Sequence, residues 1–125
     1  MSTTKFMTAA QAANLIQDND TIGLMGGGGG LMEATHLFEA VQARFLSTQT
    51  PRNLTVMHAL GIGDNKAKGM NCFAHEGLVK RVIGGHWVWS PAMQQLALDE
   101  KIEAYILPGG VSSQLMREIG AGRPG

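Results

Sequence analysis

The chain has 125 residues, the length of one domain, and a domain of that size buries roughly two-thirds of the surface its unfolded chain exposes. Ten acidic and ten basic residues give a formal net charge of zero with no long run of either sign, which argues against a nucleic-acid partner and against an acidic membrane surface. Cys72 has no second cysteine to pair with, and neither a basic-plus-apolar leader nor an apolar run of about 18 residues is visible, so a soluble, cytoplasmic protein is expected.

Thr8-Ala9-Ala10-Gln11 fits a capping box, and Ala12, Leu15 and Ile16 supply an apolar face, so a helix is predicted from Ala9 to Gln17. Asp18-Asn19-Asp20 is turn chemistry, and a buried strand follows up to Met25. Gly26 to Gly30 are five consecutive glycines. Each would cost up to about 1 kcal/mol inside a regular element, so the run reads as a loop. At a strand-to-helix junction such a loop can aim several amides at one anionic or oxyanionic group.

Ala34, Leu37, Phe38, Val41 and Phe45 then recur at helical spacing, with Glu33, Glu39, Gln42 and Arg44 mostly off that face. Ser47 to Asn53 is a polar loop, Leu54 to Ala59 a strand, and Gly61-Ile62-Gly63-Asp64-Asn65 a second flexible loop. Val79 to Ile83 is a third strand closed by Gly84-Gly85, and Ser90-Pro91 is an N-cap with proline at the first helical position of a helix over Ala92 to Glu100. Ile102 to Leu107 is a fourth strand and Pro108-Gly109-Gly110 its exit loop. Ser112 or Ser113 then caps a last helix ending near Gly120. This alternation predicts an α/β fold, an open, mostly parallel sheet with helices on both faces. The loops at Gly26, Gly61, Gly84 and Pro108 all follow strands, so they would share one edge, where such sheets bind ligands.

Other chemistries are poorly supported. The spacing G-x-G-x-x-G fails, because its third glycine falls on Leu31, Met32 or Glu33, and no acidic residue ends a second strand to hold a ribose. His36, His58, His75 and His86 lack metal-ligand spacing. Met25, Met57, Met93 and Met116 are expected to fill core gaps. Trp87 and Trp89 would lie on one side of an extended segment, as packing or as an aromatic wall beside an acyl chain. Lys66, Lys68, Lys80 and Arg81 read as solvated charges, with contacts to phosphates as the alternative. Cys72 reads as inert.

Taken in order, these landmarks resemble the family I coenzyme A transferases, and within them the N-terminal part of the acetate or propionate branch. The resemblance rests on Ala10 to Gly29, Gly61 to Asn65, Gly84-Gly85-His86-Trp87 through Pro91, Ile102 to Tyr105, and Pro108 to Gly125. It implies a sheet of the CoA-transferase (NagB/RpiA-like) type, apparently truncated. It also implies transfer of coenzyme A from an acyl-CoA to a small carboxylic acid through a glutamyl-CoA thioester, with no cofactor beyond those substrates. Gly26, Gly27, Gly28, Gly29 and Gly30 would then be oxyanion or acyl-pocket residues. Gly63, Asp64, Asn65, Gly85, His86, Trp87, Gly109 and Gly110 would line the substrate edge.

The family's nucleophilic glutamate lies in its C-terminal half and matches no residue here. Glu76-Gly77 lacks the right context, so no catalytic residue is assigned and the isolated chain is expected to be inactive. A homo-oligomer or a complementing C-terminal half is the expected partner. Two departures stand out. Pro108-Gly109-Gly110 replaces the family's usual Pro-Gln-Gly, and Met32-Glu33-Ala34-Thr35 replaces the proline and asparagine that follow the glycine loop in the ketoacid branch. Two other readings remain open: an acyl-CoA or phosphometabolite binding module that performs no chemistry, and a half-domain that folds on a partner chain.

Overall fold

A computed structural model describes residues 5–124; Gly125, the end of the last resembling segment, lies outside the described residues. Helix α1 (Ala9–Ala13) leads to β1 (Thr21–Leu24), α2 (Thr35–Thr48) and β2 (Leu54–His58). A 3-10 turn (Met70–Phe73) follows, then β3 (Val79–Gly84), α3 (Pro91–Leu98), β4 (Glu103–Ile106) and α4 (Gly109–Gly120). The strands form one open sheet in the order β1-β2-β3-β4, and every neighbouring pair is parallel. The expected parallel sheet with helices is what the chain forms.

Register explains where the core lies. Ile22, Val56, Val82 and Ala104 form one row, and Leu24, His58, Gly84 and Ile106 the next row on the same face. Right-handed crossovers between strands in sequential order carry their connections to one side of a sheet. Here α1 packs on α2, α2 on the 3-10 turn, and that turn on α3. Leu24, Leu54, Val56 and Val82 of the sheet thereby join Phe38, Val41, Phe45, Met70, Phe73 and Met93 in one cluster. Phe38 and Phe73 meet edge to face, with ring centroids 5.4 Å apart. Helix α4 contributes nothing to this cluster, and all four residues of the edge strand β4 are exposed.

Local signals fix several boundaries. The capping box forms as its residue types demand, with Gln11 N donating to Thr8 Oγ1 and Thr8 N to Gln11 Oε1. Yet α1 stops at Ala13 rather than Gln17. The Arg44 guanidinium donates to the carbonyls of Ala13 and Ile16, both at 2.7 Å, and the Asp20 carboxylate takes the Gln17 amide at 2.8 Å. The groups that would continue the helix are thus used elsewhere. Met25 lies beyond the last β1 pair and is exposed, not a core residue, whereas Met57 and Met93 are buried as expected.

The expected cap and loop roles at two later helices are corrected. Ser90 occupies the N-cap position of α3, but its hydroxyl makes no capping bond. Asn71 instead accepts the Ala92 amide through Oδ1 at 3.2 Å, so the 3-10 turn caps the helix. Pro108-Gly109-Gly110 is not an exit loop. Pro108 is the N-cap of α4, and Gly109 and Gly110 are its first two helical residues. Helix formation so close to β4 leaves Ser112 inside the helix, buried, with its amide on the Pro108 carbonyl at 3.0 Å.

Candidate functional site

Because all four strands run the same way, their following segments gather at one edge of the sheet, but they divide into two groups. In the first, the glycine run is a closed turn: Gly27 N donates to Leu31 O at 2.7 Å, and Gly29 and Gly30 adopt φ +75° and +85°. The Trp89 ring lies over Gly28, with its Nε1 2.8 Å from where a Cβ would stand. The Glu33 side chain crosses Gly26 in the same way. Gly63 lies against the Trp89 carbonyl, and that carbonyl accepts Asn65 N at 2.9 Å and Asn71 Nδ2 at 3.1 Å. Gly26, Gly28, Gly63 and Asn65 therefore meet around Glu33 and Trp89.

In the second group, Gly85 packs directly on the Ala59 carbonyl, and Gly109 approaches the same carbonyl from α4. His86 is exposed, its ring lying on Gly61. Gly110 faces open space. The Ala59 to Ile62 segment joins the two groups.

Two expected site residues have their side chains engaged within the chain itself. Asp64 Oδ1 accepts three amides, from Lys66, Ala67 and Lys68, each at 2.9 Å. The Lys68 amide is foremost in holding its carboxyl below the usual carboxylate range. Its place is that of a turn residue. Trp87 and Trp89 do not share one side of an extended segment, because Ser90 N donates to Trp87 O at 3.0 Å and folds the segment into a turn. Trp87 goes inward, buried, with its indole N–H unpaired beside Gly84; only Trp89 reaches the glycine loop.

Beneath the edge, His58 at the end of β2 is buried, and its Nδ1–H donates to the Leu60 carbonyl at 2.6 Å. Burial lowers its pKa, the Leu60 contact opposes this, and His86 adds to the lowering. Cys72 is buried, and burial, aided by the carboxylates of Glu39, Asp64 and Glu33, pushes its thiol up to about 11. No group of three His, Cys, Asp or Glu among the described residues could hold a metal ion. No helix among them is long and apolar enough to cross a membrane.

Beside the second group, a mostly apolar groove of about 500 Å³ between α3 and β4 is lined by His86, Trp87, Val88, Gln94, Ala97, Leu98, Ala104 and Ile106. Arg81, one of the cations considered for a phosphate, is paired with Glu103 at 2.7 Å.

Glu33 is the site residue that sequence reasoning passes over. It reads as one more polar residue of the α2 pattern, yet Oε1 accepts the Gly63 amide at 2.7 Å, and Oε2 is buried without a partner. The available signal is an acid three residues beyond the last glycine of the run, within reach of a neighbouring loop's amides.

The comparisons with known proteins agree with the fold. A profile described as coenzyme A transferase matches residues 6–125. The acetate CoA-transferase YdiF of Escherichia coli K12 is 43% identical over 119 residues, 95% of this chain and 22% of that protein. The caffeate CoA-transferase of Acetobacterium woodii is 38% identical over 122 residues, 97% of this chain and 23% of that protein. A crystal structure of YdiF from E. coli O157:H7, described as a thioester complex with CoA, superposes with a TM-score of 0.92 at 43% identity, covering 95% of this chain and 24% of that one. The chain thus spans less than a quarter of the length of the relatives it matches.

Proposed function

The chain belongs to the coenzyme A transferase family, and from that premise we propose that it supplies the glycine-lined wall of a site that moves coenzyme A from a short-chain acyl-CoA to a free acid such as acetate or propionate. The observation that carries this reading is the Gly26 to Gly30 turn at the carboxyl edge of β1, walled by Trp89, with Gly29 and Gly30 open to approach. Side chains would obstruct such an approach; backbone amides would not.

The chemistry runs by covalent exchange. A glutamate carboxylate oxygen attacks the thioester carbonyl, and the tetrahedral oxyanion collapses with loss of CoA thiolate to an acyl-glutamyl anhydride. The thiolate then attacks the glutamyl carbonyl, releasing the first acid and leaving a glutamyl-CoA thioester that the second acid captures by the same steps in reverse. Each step builds negative charge on one oxygen, and preorganised donors at such a position are worth roughly 3–4 kcal/mol each. The amides of Gly26 to Gly30 take that role or shape the acyl pocket. The YdiF complex described as a thioester with CoA is consistent with the route. The nucleophilic glutamate is not among these 125 residues, so these residues alone bind without turnover. A cytoplasmic setting is part of this reading.

Exposed β4, with Ile106 and Tyr105 uncovered, favours a closely related reading in which a complementing C-terminal half, or a second copy, completes the site. The test is calorimetric titration of the chain with acetyl-CoA, alongside an assay for CoA exchange between acetyl-CoA and propionate. Saturable binding without exchange is expected. Absence of binding, or exchange by the chain alone, would overturn the proposal.

A further inference from the structure

Glu33 is in contact with three glycines from three separate segments. Its Cγ lies 2.8 Å from the position of a Gly26 Cβ, Oε1 accepts the Gly63 amide at 2.7 Å, and Oε2 lies 2.8 Å from the position of a Gly69 Cβ. Gly63 and Gly69 are themselves bridged antiparallel. The side of Gly69 where another residue would carry its Cβ therefore faces the Gly63 backbone and Oε2 together, and Oε2 has no hydrogen-bond donor. The loop after β1, the loop after β2 and the segment entering the 3-10 turn thus converge on one carboxylate.

We infer that Glu33 is a positioning residue: its carboxylate locks the glycine turn to the Gly63 loop and so sets the spacing of the amides and the Trp89 wall at the sheet edge. A role as nucleophile does not fit, since one oxygen is engaged by Gly63 and the other is sealed from solvent. A merely space-filling role does not fit either. Burying a carboxylate oxygen without a donor is unfavourable, and an apolar side chain would fill the gap without that cost. What the carboxylate adds is a charge-assisted bond to one particular amide 30 residues away. The consequence for substrate rests on the transferase reading; the locking itself does not.

The test compares Glu33→Gln, which keeps length and an acceptor oxygen, with Glu33→Asp, one methylene shorter. Hydrogen exchange is followed at the Gly63 amide and at β2, and acetyl-CoA affinity is measured on the same proteins. Glu33→Asp should speed Gly63 exchange about tenfold or more, the scale of one lost charge-assisted bond. It should leave β2 amides unchanged and weaken acetyl-CoA binding by a similar factor, with Glu33→Gln recovering most of both. Unchanged Gly63 exchange in Glu33→Asp would overturn the inference, and so would exchange rising equally in β2, which marks a general loss of stability. If the unsubstituted chain does not bind acetyl-CoA, the transferase reading falls and Gly63 exchange alone decides the role of Glu33.

Discussion

The Ser90 hydroxyl donates to the Ile62 carbonyl at 2.6 Å in buried surroundings, so a residue at the helix-start position spends its side chain on the loop after β2. Ser90→Ala leaves a buried carbonyl without its donor, at a cost of about 1–3 kcal/mol. No cap is lost, because Asn71 serves the first turn of α3. Asn71→Ala removes contacts to Lys68 O, Trp89 O and Ala92 N together and should destabilise more. Urea unfolding of the two variants checks both statements; a Ser90→Ala midpoint equal to that of the parent chain would refute the first, and one lower than that of Asn71→Ala the second.

Two glycines at the edge should respond very differently to alanine. Gly63 has φ +136°, and an added Cβ would collide with the Trp89 carbonyl, a backbone atom that cannot swing aside. Gly63→Ala should cost about 2–4 kcal/mol. Gly29 has φ +75° but open space around it, so Gly29→Ala should cost only about 1–2 kcal/mol. With stability nearly kept, any loss of acetyl-CoA affinity in Gly29→Ala reports on the loop itself. Thermal midpoints and titration calorimetry together make the separation.

Stability should fall as pH drops below about 6.5, the ordinary histidine value. Burial lowers the pKa of both His58 and His75 in the folded chain, so between the ordinary and the lowered values the unfolded state binds more protons. Stabilisation is therefore complete above about 6.5 and is lost as pH falls toward the folded values. The lowered carboxyls of Asp64 and Glu103 act only below about 4.5, in a separate window. His58→Leu should flatten the upper window in urea unfolding followed against pH, and an unaltered slope there would exclude His58 as its source.

Cys72 should be silent toward thiol reagents in the folded chain. A thiol pushed up to about 11 holds about 10²-fold or more less thiolate at pH 8 than a free cysteine, and the side chain is buried as well. Labelling by a disulfide reagent should follow the fraction unfolded in urea. Prompt labelling in buffer would show that the Met70–Phe73 turn opens locally.

The sequence by itself determined the elements that depend on near neighbours. The apolar runs at Leu54, Val79 and Ile102 became parallel strands, Thr8 and Gln11 closed their box, and Pro91 opened α3, because periodicity and capping act within one or two turns of chain. Gathering the glycine-bearing loops at one edge also followed, since parallel strands deliver their exits to the same side. What the tertiary structure alone decided is which loop touches which. Arg44 ended α1 from 31 residues away, Asn71 took over the cap expected of Ser90, Gly109 and Gly110 entered α4, and Trp87 and Trp89 parted around a turn. Glu33 found Gly63 across 30 residues. Such contacts depend on how the β1 and β2 crossovers place distant segments side by side, and no local pattern records that placement.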